Sequence, residues 1–154
     1  MDLTSMETSK TSFDKGSEGE KRVAEGLAFL GYNVIYIGGA TKYSIDGGKF
    51  FSGDLFVFGK GKSFLVQVKN KEPRNIYPDT GLERWRFDNL KWLQNESGLK
   101  ILIVFTDSSK KLYGEWIDNL KIELHGGEYN SKTNETMIYF WLTELKILPD
   151  LLNI

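Results

Sequence analysis

The chain contains no cysteine, which excludes disulfide staples, thiolate metal sites and cysteine nucleophiles and is compatible with a reducing cytoplasm. Its single histidine, His125, is too little for a His-rich zinc site. No apolar run approaches the roughly 18 residues of a membrane span, and the N-terminus lacks a signal-peptide core. The expected localisation is therefore cytoplasmic, with no membrane partner. The basic excess usual in nucleic-acid binders is also missing: the net charge is −1 and the pI about 5.9. A local basic patch remains compatible with that balance, because carboxylates serving a metal cancel lysines elsewhere.

What is present suffices for a folded core. Hydrophobic residues make up 40% of the 154 residues and aromatics 14%, which argues for one folded domain over wholesale disorder. Residues 1–16 are rich in Ser, Thr and Lys without periodicity and read as a flexible tail, leaving residues 17–154 as a single domain. Ser17 followed by Glu20 has the pattern of a capping box opening a helix, and Val23, Ala24, Leu27, Ala28 and Leu30 continue it to Gly31. At about 100° per residue, Glu20 falls on the apolar stripe, whereas Glu18 and Glu25 face solvent. Residues 32–37 read as a strand, 38–48 as a Gly-rich loop, 76–81 as a turn around Pro78, and 82–96 as a second helix. Residues 100–105 (KILIVF) have the continuous apolarity of a strand buried on both faces. Residues 112–120 fit either strand or helix, 137–142 a strand, and 145–154 a short terminal helix or tail. The order implies a mixed sheet flanked by helices.

The informative stretch is GDLFVFGKGKSFLVQVK, residues 53–69. A two-residue turn at Lys60-Gly61 pairs Phe58 with Ser63, Phe56 with Leu65, and Asp54 with Gln67. Alternation then places Asp54, Gln67 and Lys69 on one face at one end of a largely apolar hairpin. A carboxylate and an ammonium in such surroundings need partners. A divalent cation is one solution. Asp54, the Gln67 amide oxygen, the Val68 carbonyl and Glu20 form an oxygen-rich donor set suited to Mg²⁺ or Mn²⁺. Such an ion activates water and offsets charge on a phosphoryl oxygen, while Lys69 orients or deprotonates the attacking water and stabilises the transition state. Each residue alone has a plainer explanation: a strand-end ion pair for Asp54 and Lys69, and a helix cap for Glu20.

Together these residues resemble the PD-(D/E)xK nuclease superfamily, most closely its archaeal-type Holliday junction resolvases. Lys15-Gly16-Ser17-Glu18-Gly19-Glu20 matches the family's helix start, Asp54 its strand-borne aspartate, and Gln67-Val68-Lys69 its third motif, 13 and 15 residues after Asp54. Gly31-Tyr32-Asn33-Val34 matches the helix-to-strand turn. The resemblance spans roughly residues 15 to 105. It implies an α/β, restriction-endonuclease-like fold with a mixed central β-sheet flanked by helices. It also implies a metal-dependent, structure-specific DNA endonuclease and a homodimer acting on branched or four-way DNA. The loop after the first strand carries a functional serine in the resolvases, for which Ser44 or Thr41 is the counterpart. Two positions depart from the pattern: Gln67 stands where an acid is usual, as in other active branches of the superfamily, and Gly53 replaces a proline. The competing expectations are a restriction-type or flap- and nick-acting nuclease, and a non-catalytic DNA-binding protein on the same fold.

Lys71, Arg74, Arg84, Arg86 and Lys91 follow the third motif and form a candidate phosphate-binding lip. Tyr77 and Trp85 lie among them, and Trp85 fits either a base-stacking platform or a core position.

Overall fold

The computed structural model describes residues 12–37, 44–45, 48–49, 54–123, 129–130 and 135–153. Helix α1 (Ser12–Phe29) leads into β1 (Asn33–Tyr36), the short pair β2 (Ser44–Ile45) and β3 (Gly48–Lys49), β4 (Leu55–Gly59) and β5 (Lys62–Asn70). Then come β6 (Asp79–Glu83), α2 (Arg84–Ser97), β7 (Lys100–Thr106), β8 (Tyr113–Trp116), β9 (Tyr129–Asn130), β10 (Glu135–Trp141), β11 (Lys146–Ile147) and α3 (Leu148–Leu152). The central sheet runs β1-β4-β5-β7-β8-β11, and β6-β10-β9 form a smaller sheet. Within the central sheet β5 and β7 are parallel and the other neighbours antiparallel, so the sheet is mixed. No helix among the described residues is long and apolar enough to cross a membrane.

The β4–β5 hairpin has the register that its turn dictates. Gly59 pairs with Lys62, Phe58 with Ser63, and Phe56 with Leu65. Lys60 and Gly61 both have positive φ, 53° and 76°, as a two-residue hairpin turn of right-handed twist requires. The Lys60 ammonium holds the turn in place, donating to the Leu30 carbonyl at 2.7 Å and lying 5.0 Å from the Tyr32 ring centre.

The alternation of β5 separates two cores. Phe64, Val66 and Val68, with Leu55 and Val57 of β4, pack against Val23, Ala24 and Leu27 of α1 and against Leu148, Leu151 and Leu152 of α3. Each fully buried Val or Leu contributes about 1.5–3 kcal/mol. On the other face Leu65, Ile101, Ile103 and Phe105 pack against Phe87 and Leu90 of α2 and against Leu82, Ile138 and Phe140 of the smaller sheet. The unbroken apolarity of β7 follows from this double burial.

Three boundaries differ from the sequence expectation. Helix α1 begins at Ser12, so Ser12–Gly16 are helical where a tail was expected, and Ser17 lies inside the helix and cannot cap it. A tertiary contact supports the added turn before the local start signal: the Asn70 side chain donates to the Lys15 carbonyl at 2.8 Å. Residues 1–11 lie outside the described residues. The stretch expected to turn around Pro78 contains β6 from Asp79, and α2 starts at Arg84 instead of Leu82. β6 exists through pairing with β10, more than 50 residues later in the chain, which no local signal reports. Gly81 permits that pairing, since a Cβ there would sit 2.1 Å from the Ile138 carbonyl oxygen. Residues 112–120 resolve into β8 followed by a short 3-10 turn, Ile117–Asn119.

Candidate metal and nucleic-acid site

The N-terminal half of α1 crosses the C-terminal end of β5, and Gly19 sets how closely. An added Cβ there would lie 2.8 Å from the Asn70 Cβ and 3.4 Å from Val68 Cγ1. This approach delivers Glu20 to the end of the hairpin. Helix α1 covers the Val66–Val68 face, opposite to the Gln67–Lys69 face. Glu20 nevertheless meets Asp54, because Asp54 sits in a bend just outside β4 at the margin where the two faces join. Glu18 and Glu25 are exposed, so the helical phase selects Glu20.

Around this point lies a cleft of about 400 Å³ lined by Lys15, Gly16, Glu20, Asp54, Gln67, Val68, Lys69, Asn70 and Arg86. Residues from three separate sequence motifs thus come together. Asp54 Oδ2 accepts from Gln67 Nε2 at 2.8 Å and from the Val68 N–H at 2.7 Å. An extended residue directs its N–H and C=O to the same side, so the Val68 carbonyl faces the same open strand edge. Gln67 Oε1 is buried and lacks a hydrogen-bond partner among the described residues.

The electrostatics of the cleft are unbalanced. Burial raises the Asp54 carboxyl to about 7; the Val68 N–H bond opposes the rise, and the Glu20 carboxylate adds to it through its charge and a shared hydrogen bond. Near neutral pH the Asp54 carboxyl is therefore only partly ionised. A cation beside Asp54 favours its ionised form, and an amide oxygen without a donor is a ready ligand. The donor set of Glu20, Asp54, Gln67 and the Val68 carbonyl is all oxygen and fits a hard divalent cation. No cluster of three His, Cys, Asp or Glu side chains occurs among the described residues, so this set depends on its amide and backbone oxygens.

Lys69 points into the same cleft and is held by a residue that the sequence reading missed. Its Nζ lies 2.6 Å from Glu83 Oε1, and Arg86 Nε lies 3.2 Å from Glu83 Oε2. Glu83 holds the N-cap position of α2 but makes no side-chain cap bond. Burial opposes its ionisation, yet the Lys69 charge and hydrogen bond outweigh burial and hold the carboxyl at about 2. The only available signal for Glu83 was the β6–β10 pairing, which the sequence concealed.

The expected phosphate-binding lip divides. Lys71 is half-buried beside Lys69, and burial followed by the Lys69 charge lowers its pKa. Arg84 is exposed on α2, while Arg86 reaches the cleft with its guanidinium carbon 4.7 Å from the Trp85 ring centre. Lys91 lies over the Phe87 ring at 5.2 Å. Arg74 does not belong to the lip. Its guanidinium bonds both oxygens of Asp79 at 2.7 and 2.6 Å and Glu123 at 3.2 Å, and lies 3.5 Å from the Tyr139 ring centre. Asp79 and Glu123 have fully buried side chains, so Arg74 is drawn inward to neutralise them. Tyr77 packs against the same guanidinium, and Trp85 is half-buried, neither in the core nor fully open. Ser44 lies in β2, with its side chain outside the described residues, as are Thr41, Gly53 and His125 altogether.

A mixed central sheet with α1 and α3 on one face and α2 with the small sheet on the other, and acidic groups at one end of its hairpin, defines a restriction-endonuclease-like fold. Among solved structures it is similar to Hjc of Archaeoglobus fulgidus, a Holliday junction resolvase from an archaeal hyperthermophile. The TM-score is 0.60 at 12% identity, covering 84% of this chain and 90% of that one. The sequence matches no protein-family model and no curated protein.

Proposed function

We propose that this chain is a divalent-metal-dependent DNA endonuclease of the resolvase-like kind, acting on branched DNA as a homodimer. The observation that carries the reading is the cleft itself. Two neighbouring carboxyl groups, a buried amide oxygen without a donor and a lysine ammonium meet there on a nuclease-like fold. Glu20, Asp54, Gln67 and the Val68 carbonyl would hold the cation. When bound, Mg²⁺ or Mn²⁺ supplies Lewis-acid polarisation of the phosphate and lowers the pKa of water.

The protein groups account for the rest of the chemistry. Lys69 presents a positive charge at the cleft, where it stabilises the extra negative charge of a pentavalent phosphorus transition state. Arg86 and Lys15 line the same opening and hold phosphates by charge, with Lys71 and Arg84 alongside. The Gln67 amide, through its hydrogen bond to Asp54, fixes the carboxylate that the metal requires. Gln67 also favours a second reading, a non-catalytic DNA-binding protein, because the site carries one negative charge fewer than an acid would give.

The test is cleavage of a labelled four-way junction and a matched linear duplex with Mg²⁺ or Mn²⁺. The junction is expected to be cut in preference. Asp54→Ala is expected to abolish cutting and Lys69→Ala to slow it by about 10²- to 10³-fold. Cutting that survives Asp54→Ala overturns the site. Equal cutting of both substrates replaces the resolvase-like reading with a restriction- or flap-type nuclease, and binding without cutting in either metal supports the non-catalytic reading.

A further inference from the structure

We propose that Glu83 is the positioning residue for Lys69: it anchors the ammonium in the cleft from β6 and supplies the anionic partner that β5 lacks at Gln67. The inference rests on the nuclease reading above and concerns how the same cleft is organised.

A lysine side chain has four rotatable bonds and swings freely unless something holds its end. Within β5, Gln67 and Lys69 share a face, but the Gln67 Nε2 is committed to Asp54 and carries no charge. Asp54 is bonded by Gln67 and the Val68 N–H and faces Glu20. Among the described residues, the anion hydrogen-bonded to Lys69 is instead Glu83, at 2.6 Å. Glu83 is fixed at its other oxygen by Arg86, which also lines the cleft. Both partners are largely shielded, with side chains 24% and 15% exposed, so the pair is stronger than a surface ion pair. Glu83 makes no N-cap bond, and its two carboxylate oxygens serve the cleft, one on Lys69 and one on Arg86. The β6–α2 junction thereby sets where the Lys69 charge sits relative to Asp54. Arg86, one turn into α2, closes a Lys69–Glu83–Arg86 chain of alternating charge along one wall.

The experiment compares Glu83→Ala, Glu83→Gln and Glu83→Asp in the full chain. Steady-state cleavage of the four-way junction in Mg²⁺ gives kcat and KM, fluorescence anisotropy in EDTA gives DNA affinity, and melting temperature reports folding. Glu83→Ala is expected to lower kcat about 10- to 100-fold, since a misplaced charge loses transition-state stabilisation. KM and metal-free affinity should stay level or tighten, because a negative charge beside the phosphates has been removed. Glu83→Gln, which preserves shape, should fall between, and Glu83→Asp should recover part of kcat. An unchanged kcat in Glu83→Ala overturns the proposal. So does a fall in kcat and affinity together in proportion to lost folded protein, which marks a purely structural role. If Glu83→Ala does not fold, the isosteric Glu83→Gln decides by the same criteria. Failure of the parent reading looks different: the wild-type chain then cuts no DNA in either metal, and the role of Glu83 falls with it. If the wild type cuts, Asp54→Ala does not, and Glu83→Ala cuts at the wild-type rate, only the Glu83 assignment is lost.

Discussion

Replacing Asp54 by Asn should stabilise the metal-free protein above neutral pH and remove its response to Mg²⁺. The folded protein raises the Asp54 carboxyl from 3.8 to about 7, chiefly by burial and further by Glu20. A raised carboxyl pKa means that the folded state favours the protonated form. Its contribution to stability is therefore complete below about pH 3.8 and is lost as pH rises through about 7. At about 1.4 kcal/mol per pH unit, a rise of about three units amounts to roughly 4 kcal/mol at pH 8, of which relaxation between the two carboxyls leaves about 2–4 kcal/mol. Asn resembles the protonated carboxyl and carries no charge at any pH, so Asp54→Asn escapes the loss. For a chain of this size the gain corresponds to about 5–15 °C in melting temperature. In EDTA the wild-type melting temperature should fall between pH 5 and 8, and that of Asp54→Asn should stay nearly flat. Millimolar Mg²⁺ at pH 8 should restore the wild type and leave Asp54→Asn unmoved, because cation binding offsets the carboxylate repulsion. Equal pH dependence in both proteins, or an Asp54→Asn protein that melts below the wild type at pH 8 in EDTA, would show that ionisation of Asp54 does not destabilise the metal-free fold.

Two further substitutions test the architecture around the site. Gly19→Ala inserts a methyl 2.8 Å from the Asn70 Cβ, so α1 must move off β5. Despite the better helix propensity of Ala, about 1–3 kcal/mol of stability should be lost, and Mg²⁺ titration should show weaker binding as Glu20 shifts. Arg74→Met and Arg84→Ala should behave oppositely. The first strands two buried carboxylates and should cost about 3–5 kcal/mol by denaturant unfolding. The second should leave the melting temperature unchanged while weakening DNA binding and lowering its salt slope by about one.

Much of this site was legible in the sequence, for reasons that are local. The Lys60-Gly61 turn admits few conformations, and it fixed the pairing from Gly59–Lys62 to Leu55–Val66; Asp54 lies in a bend beyond the last pair and meets Gln67 through a side-chain hydrogen bond. Helical phase and the Lys15–Glu20 motif both chose Glu20 over Glu18. The capping box at Ser17 misled because the helix begins five residues earlier, at Ser12, where the Lys15 carbonyl accepts from the Asn70 side chain. Glu83 escaped for the opposite reason: Asp79-Thr80-Gly81 reads as a turn until β10 arrives to pair with it. Arg74 looked like a surface cation because its partners, Asp79 and Glu123, are 5 and 49 residues away and both wholly enclosed. Non-local pairing and buried charge compensation are what a one-dimensional pattern does not encode.

The proposed chemistry needs one cation held in one cleft. Crystals soaked in Mn²⁺ and measured at the manganese absorption edge test it directly. An anomalous peak bound by Asp54 and Glu20, with Gln67 Oε1 and the Val68 carbonyl completing the protein ligands, is the predicted result. A fully soaked crystal with no peak in the cleft, from protein that still cuts DNA in Mn²⁺, would contradict it.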